Sequence, residues 1–277
     1  MLANYECDLH GHTNRSDGND SPVEYIRHAV HRGVKILAIT DHDIVPPEMI
    51  ELGGGKRQEI TAYAKGIGVE LLRGIEISCE TYIDDVHLVC LGCDWNAPYF
   101  KELDEFTINS KVNSYRKLID LLNEQGMEMT WEEVLQNNGY PVQEQFVQKK
   151  MIFELMARKG YMESWKEAKL YVKNSKEASV KREKPDAVSV IKEIHKLGGI
   201  IILAHPYLIS ESVSYKGKEM SRQEFIEVLI EAGLDGMEAS YTYDKTSYGG
   251  TMPKDELTQE VIERYASGGL IIYGGSD

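Results

Sequence analysis

Seven short apolar runs in this chain each lead into or carry a histidine, an aspartate or a glutamate, and that regularity constrains the fold more than any other feature. The runs are Tyr5 to His10, Val34 to Ile39, Val69 to Ile77, Val86 to Leu91, Gly199 to Ala204, Leu234 to Ala239 and Leu270 to Tyr273. The first leads into Asp8-Leu9-His10-Gly11-His12 and then Ser16-Asp17-Gly18, and the second into Thr40-Asp41-His42-Asp43. The third closes on Gly74-Ile75-Glu76, the fourth carries His87, and the last three end in Ala204-His205-Pro206, Met237-Glu238 and Gly275-Ser276-Asp277. Helical segments stand between most of them. Ser21-Pro22-Val23-Glu24 and Ser221-Arg222-Gln223-Glu224 are capping boxes, with Gly33 and Gly233 as the matching stops. Further helices are expected over Arg57 to Lys65, Asp186 to Leu197 and Glu256 to Tyr265. Alternating strands and helices of this kind predict a parallel α/β fold, and in a closed β/α barrel the strand ends converge on one face.

Residues 95–184 break the alternation: they are charged, poor in strand signals and helically periodic. Leu118, Ile119, Leu121, Leu122, Ile152, Leu155 and Met156 recur at helical spacing and are expected to form a core. The predicted organisation is a barrel from 1–94 and 185–277 with a helical insertion at 95–184.

The residue types at the strand ends specify the chemistry. His10 and His12 are two apart on a strand, so both imidazoles face one way and can chelate one cation. With Asp17, His42, Glu76, His87, His205 and Asp277 they offer too many donors for one four-coordinate ion. Such a set suits two or three divalent ions with Glu76 or Asp277 bridging, and nitrogen and oxygen donors without thiolate accept Mn, Fe or Zn alike. Asp8, Asp41 and Asp43 are expected to orient the ligand imidazoles. His28, His31 and His195 fall on helices and read as structural. Cys7, Cys79, Cys90 and Cys93 lie in or beside apolar runs and read as small hydrophobes, the single CxxC lacking the second pair of a zinc ribbon.

The net charge of −14 disfavours a surface for long nucleic acid, while cations in the site would still attract a small phosphate ester. Lys149, Lys181 and Arg182 are the candidates for gripping that phosphate. No nucleophile elbow or P-loop is present, Gly53-Gly54-Gly55 lacking the Lys-Ser/Thr that would follow. Hydrolysis by a metal-activated water is therefore expected. The N-terminus has no basic and apolar leader, and no apolar run approaches a membrane span, so a cytoplasmic protein with no membrane partner is expected.

In combination, DLHGHT, SDG, TDHD, GIEIS, VHLVCLG, AHP and GGSD resemble the signatures of the PHP (polymerase and histidinol phosphatase) family. That resemblance implies a distorted seven-stranded TIM-like barrel with two or three metal ions. It places His10, His12, Glu76 and Asp277 at one ion, Glu76, His87 and His205 at a second, and Asp17 and His42 at a third. The insertion resembles the stand-alone phosphoesterases of that family that act on nucleoside 3',5'-bisphosphates and short RNA ends. Histidinol phosphate, an amide substrate and a catalytically weak metal-binding module are the alternatives. The chain departs from that subgroup at Lys149-Lys150-Met151 and at Tyr241-Thr242-Tyr243-Asp244-Lys245. It also stops at Asp277, two residues short of the family's next histidine, which predicts a shortened chain and a weakly held third ion.

Overall fold

The computed structural model describes residues 6–243, 246 and 248–275. The chain forms two compact units, residues 1–104 with 185–277 and residues 105–184.

The first unit opens with β1 (Cys7–Asp8), α1 (Pro22–His31) and β2 (Ile36–Ile39), followed by β3 (Met49–Glu51) and β4 (Arg57–Glu59). Next come α2 (Ile60–Gly66), β5 (Glu70–Cys79), β6 (Val86–Leu91) and the start of α3 (Pro98–Glu124). The second unit holds the rest of α3 with α4 (Trp131–Gln136), α5 (Lys149–Arg158) and α6 (Trp165–Asn174). The chain re-enters the first unit through α7 (Ala187–Lys196), β7 (Ile200–Leu203), β8 (Ser212–Tyr215) and β9 (Lys218–Ser221). It finishes with α8 (Arg222–Glu231), β10 (Gly236–Ser240), α9 (Lys254–Tyr265) and β11 (Ile271–Gly274).

Seven strands form one sheet in the order β1-β2-β5-β6-β7-β10-β11, a nearly closed, distorted TIM-like barrel. Alternate residues of each strand divide its faces. Ala38, Val89, Leu91 and Ala204 pack in one small cluster, whereas Leu37 and Ile39 pack with Ile26, Ile60 and Ala64 of α1 and α2. Where β11 runs out against β1, a Cβ on Gly275 would lie 2.3 Å from His10 Cβ and 2.6 Å from its carbonyl oxygen. Only glycine allows that approach, so the last strand closes on the residue that opens the site.

Three sequence expectations are corrected. The barrel is not wholly parallel, because β6 runs antiparallel to both β5 and β7. His87 therefore lies next to the start of its strand, and the reversal pairs it with Ser78 near the end of β5. Arg57 to Glu59 is a strand, not helix: it pairs with β3 around a Gly53-Gly54-Gly55 turn whose residues all have positive φ. The helix begins after it, because the Glu59 carboxylate accepts from the backbone N–H of Thr61 and Ala62. Cys7 is exposed on its edge strand, whereas Cys79, Cys90 and Cys93 are buried as expected. Burial raises the thiols of Cys90 and Cys93, the latter to about 12, so neither is an activated thiolate.

The helical unit has its own core of Leu118, Leu122, Trp131, Ile152, Phe153 and Met156, with Leu121 only partly buried. The first junction falls within α3 because Phe100 and Leu103 of its early turns pack with the barrel core instead. Among the described residues no helix is long and apolar enough to cross a membrane.

Candidate metal centre

The loops after β1, β2 and β7 and the start of β6 bring five imidazoles around one carboxylate. Glu76, from the middle of β5, has no solvent exposure. Its Oε1 lies 3.3 Å from His10 Nε2, 3.1 Å from His87 Nδ1 and 3.1 Å from His205 Nε2. Its Oε2 lies 3.3 Å from His12 Nε2 and 2.8 Å from His42 Nδ1. The five rings form a closed circuit, neighbouring centroids being 5.2 Å (His10 to His12), 4.4 Å (His12 to His42), 5.1 Å (His42 to His87), 5.0 Å (His87 to His205) and 5.9 Å (His205 to His10) apart. Asp17 stands at the open side, its carboxylate oxygens 3.7 Å from His12 Nδ1 and from His42 Nε2.

The loops are fixed from below. Thr40 N–H donates to the Gly11 carbonyl at 2.9 Å, and the Thr40 hydroxyl accepts from Gly11 N–H at 3.0 Å. Asp41 is fully buried and accepts from Thr13 N–H (2.7 Å), the Thr13 hydroxyl and the Ser16 hydroxyl (2.9 Å), with Arg15 3.8 Å away. Asp41 thus organises the loop between His12 and Asp17, and the Ser16 hydroxyl that it holds lies 3.4 Å from His12 Nδ1. Asp43, in the left-handed region at φ 53°, accepts from Ser78 N–H and ties the site to β5. Asp8 ends β1, half-buried.

Gly18 closes this loop under His12: a Cβ there would lie 2.3 Å from the His12 carbonyl oxygen and 2.9 Å from Thr13 N. Both are backbone atoms that cannot rotate away. Gly18→Ala should therefore displace the loop and lower kcat on the order of 100-fold, with the circular-dichroism spectrum unchanged. Steady-state kinetics at wild-type level would show that the loop's position does not matter.

Charges in the centre are strongly coupled. Burial alone would raise the Glu76 carboxyl, but the surrounding imidazoles, His10 foremost, hold it well below the usual carboxylate range. Burial would lower His10, yet Glu238 and Glu76 hold it well above the ordinary imidazole value, and His42 is raised against burial by Glu76. At His87 burial prevails and the value falls.

These residues fit divalent cations. Nδ1 of His42 and Oε2 of Glu76 lie close together, yet neither these atoms nor Nδ1 of His205 makes a hydrogen bond of acceptable direction, and all are shielded from water. Buried nitrogen and oxygen lone pairs turned toward a common point are costly alone and suited to a shared cation. Among the described residues, three groups have donor atoms close enough to share an ion: His10 with His12 and Glu76, His12 with Asp17 and His42, and His42 with Glu76 and His87. Asp277 lies outside the described residues.

Other expected residues fall elsewhere. His195 lies in the last turn of α7 and pairs with Asp235 at 2.9 Å, and His28 pairs with Asp20 on the surface. Lys149 begins α5, and Lys181 and Arg182 follow α6 in the helical unit. There burial raises the Tyr115 phenol, against the Lys149 backbone and the Arg182 charge, while burial lowers the Lys149 ammonium. One buried carboxylate was missed as a site residue: Glu238, which touches His10 and His205. Its signal was present, since Gly-Met-Glu-Ala at the sixth strand end parallels Gly-Ile-Glu at the third.

Residues 8–273 match the PHP domain. A 5'-3' exoribonuclease of Haemophilus influenzae is 30% identical over 200 residues, 72% of this chain and 68% of that protein. A phosphoribosyl 1,2-cyclic phosphate 1,2-diphosphodiesterase of Eggerthella lenta is 25% identical over 274 residues, 98% of this chain and 92% of that protein. The fold is shared with a Bifidobacterium adolescentis protein provisionally designated a metal-dependent phosphoesterase. That match has 24% identity and a TM-score of 0.66, covering 98% of this chain and 86% of that one.

Proposed function

The chain belongs to the PHP domain family and is a metal-dependent phosphoric ester hydrolase, and from that premise we propose that its substrate is a small ribose phosphate ester, a nucleotide or the phosphorylated end of a short RNA. The observation that carries the reading is the circuit of five imidazoles around the buried Glu76. Two or three cations, as Mn, Fe or Zn, would supply Lewis acidity toward a phosphoryl oxygen and lower the pKa of water toward neutrality. In this proposal His10, His12, Glu76, His87 and His205 hold two of them, with Asp277 completing the first set. Asp17 and His42 hold a third more weakly, because Asp17 is mostly exposed.

The ribose phosphate is supported by the Haemophilus relative, named for RNA, and the Eggerthella relative, named for a phosphoribosyl cyclic phosphate. Coverage of nearly the whole of both chains by the latter favours a cyclic phosphodiester as the second reading. Lys149, Lys181 and Arg182 remain the proposed phosphate-gripping residues, supported by their charge.

A substrate panel assayed with Mn²⁺ tests the proposal. It should hold nucleoside 3',5'-bisphosphates, short 5'-phosphorylated RNA, phosphoribosyl 1,2-cyclic phosphate, histidinol phosphate and a simple sugar phosphate. The ribose compounds should be turned over with kcat/KM at least about tenfold above the others. A preference for histidinol phosphate would refute the ribose reading.

A further inference from the structure

We infer that Glu238 is a positioning residue that sets the ring nitrogen His10 presents to the metal centre and pins the strained turn at His205. This rests on the reading that the cluster holds cations.

Glu238 lies on β10, which pairs with β7 on one side and β11 on the other. Its neighbours Met237 and Ala239 pack into the hydrophobic core that includes Phe225 and Val261 of α8 and α9. Strand alternation therefore turns the Glu238 side chain to the opposite face, where it has no solvent exposure. A carboxylate so placed needs strong partners. Both of its oxygens lie 3.2 Å from His10 Nδ1, and its Oε2 accepts from the backbone N–H of His205 at 2.8 Å.

An ionised carboxylate only accepts, so the first contact requires the proton on Nδ1 of His10. Nε2 faces Glu76, 3.3 Å away, and is the nitrogen left to donate its lone pair when a cation binds. This is the arrangement in which an outer carboxylate orients an imidazole and raises its donor strength. The second contact holds a backbone that would otherwise relax. His205 has φ 26° and ψ 59°, a conformation that a non-glycine residue keeps only when its surroundings enforce it. That turn aims Nε2 of His205 at Glu76, 3.1 Å away. One side chain thus aligns donors from β1 and β7, which are not neighbours in the sheet.

Two measurements test the role. In the zinc-loaded wild-type protein, long-range ¹H–¹⁵N correlation on histidine-labelled material should show His10 protonated at Nδ1, and a proton at Nε2 would overturn the inference without any variant. Glu238→Gln keeps the volume, and its amide oxygen can still accept one of the two bonds. After chelation and calorimetric titration with Mn²⁺ it should bind about 10 to 100-fold more weakly than wild type. Its kcat should fall and its KM stay near wild type, with secondary structure retained. Wild-type affinity in this variant would overturn the inference alone, whereas a wild-type protein that takes up no cation would overturn the metal reading with it.

Discussion

Strong chelation will reduce phosphate-ester hydrolysis by this protein by on the order of 1,000-fold or more, and Mn²⁺ will restore it. The centre groups imidazoles and carboxylates whose donor atoms can share an ion, and Ser16 Oγ beside His12 is engaged by Asp41, so the residues alone have little to attack phosphorus with. The charge pattern gives the loss a companion that does not depend on substrate. Without cations, His10 carries a folded-state value raised above the ordinary 6.5, so its contribution to stability is full below about pH 6.5 and is lost as pH rises through the raised value. Glu76 is depressed, so its contribution is present above the ordinary 4.5 and is lost as pH falls through its lowered value. The metal-free protein should therefore melt at progressively lower temperature as the pH is raised above neutrality. Cation binding needs deprotonated imidazoles and releases their protons, so the loaded protein should gain on the metal-free one as pH rises. Melting curves of both forms from about pH 6 to 9 measure the gap. Activity that survives chelation, or a gap that narrows with pH, would be inconsistent with a centre built this way.

Much of this centre is visible in the sequence, because a barrel strand ends where its chemistry begins. His10, His12, His42, Glu76 and His205 each follow or close an apolar run, and the structure brings all five together with His87. The direction of β6 is not written in its own residues, since an apolar run reads the same for either sense. It is written in the connection: β5 ends at Cys79 and β6 starts at Val86, too few residues for the crossover that parallel neighbours need. The β8–β9 hairpin was not read from the sequence, although Lys216-Gly217, whose φ values are both positive, is its two-residue turn. Glu238 was harder to see, because a carboxylate that orients a ligand and one that binds a cation have the same sequence signature. Only the distances to His10 Nδ1 and His205 N separate the roles. The part played by Asp41 was equally hidden, since its partners Thr13 and Ser16 are fixed by a loop conformation with no periodicity to announce it.

Glu76→Gln should lower kcat by on the order of 1,000-fold or more, while His195→Ala should leave kcat/KM within about twofold of wild type. Both positions face a histidine–carboxylate contact, so the contrast isolates what the centre adds. Glu76 is fully buried and, among the described residues, is the one carboxylate that all five rings of the circuit reach. Glutamine fills the same volume, but it drops the charge that holds His10 and His42 protonated in the metal-free form and replaces an acceptor oxygen by a donor NH₂. Breaking a buried charge pair in this way costs about 3 to 5 kcal/mol unless the imidazoles lose their protons. The metal-free variant should accordingly be least stable, relative to wild type, at low pH. His195 sits a third exposed at the end of α7, and its Asp235 partner keeps a second hydrogen bond from Ile201 N–H when the ring is removed. A solvent-screened pair of that kind is worth about 0 to 1 kcal/mol, so a small loss of melting temperature with full activity is expected. Metal content, melting temperature and kcat/KM of the two variants, measured side by side, decide the matter. Equal damage at both positions would mean that the carboxylate at the centre of the ring of histidines is structural, and that the chemistry lies elsewhere.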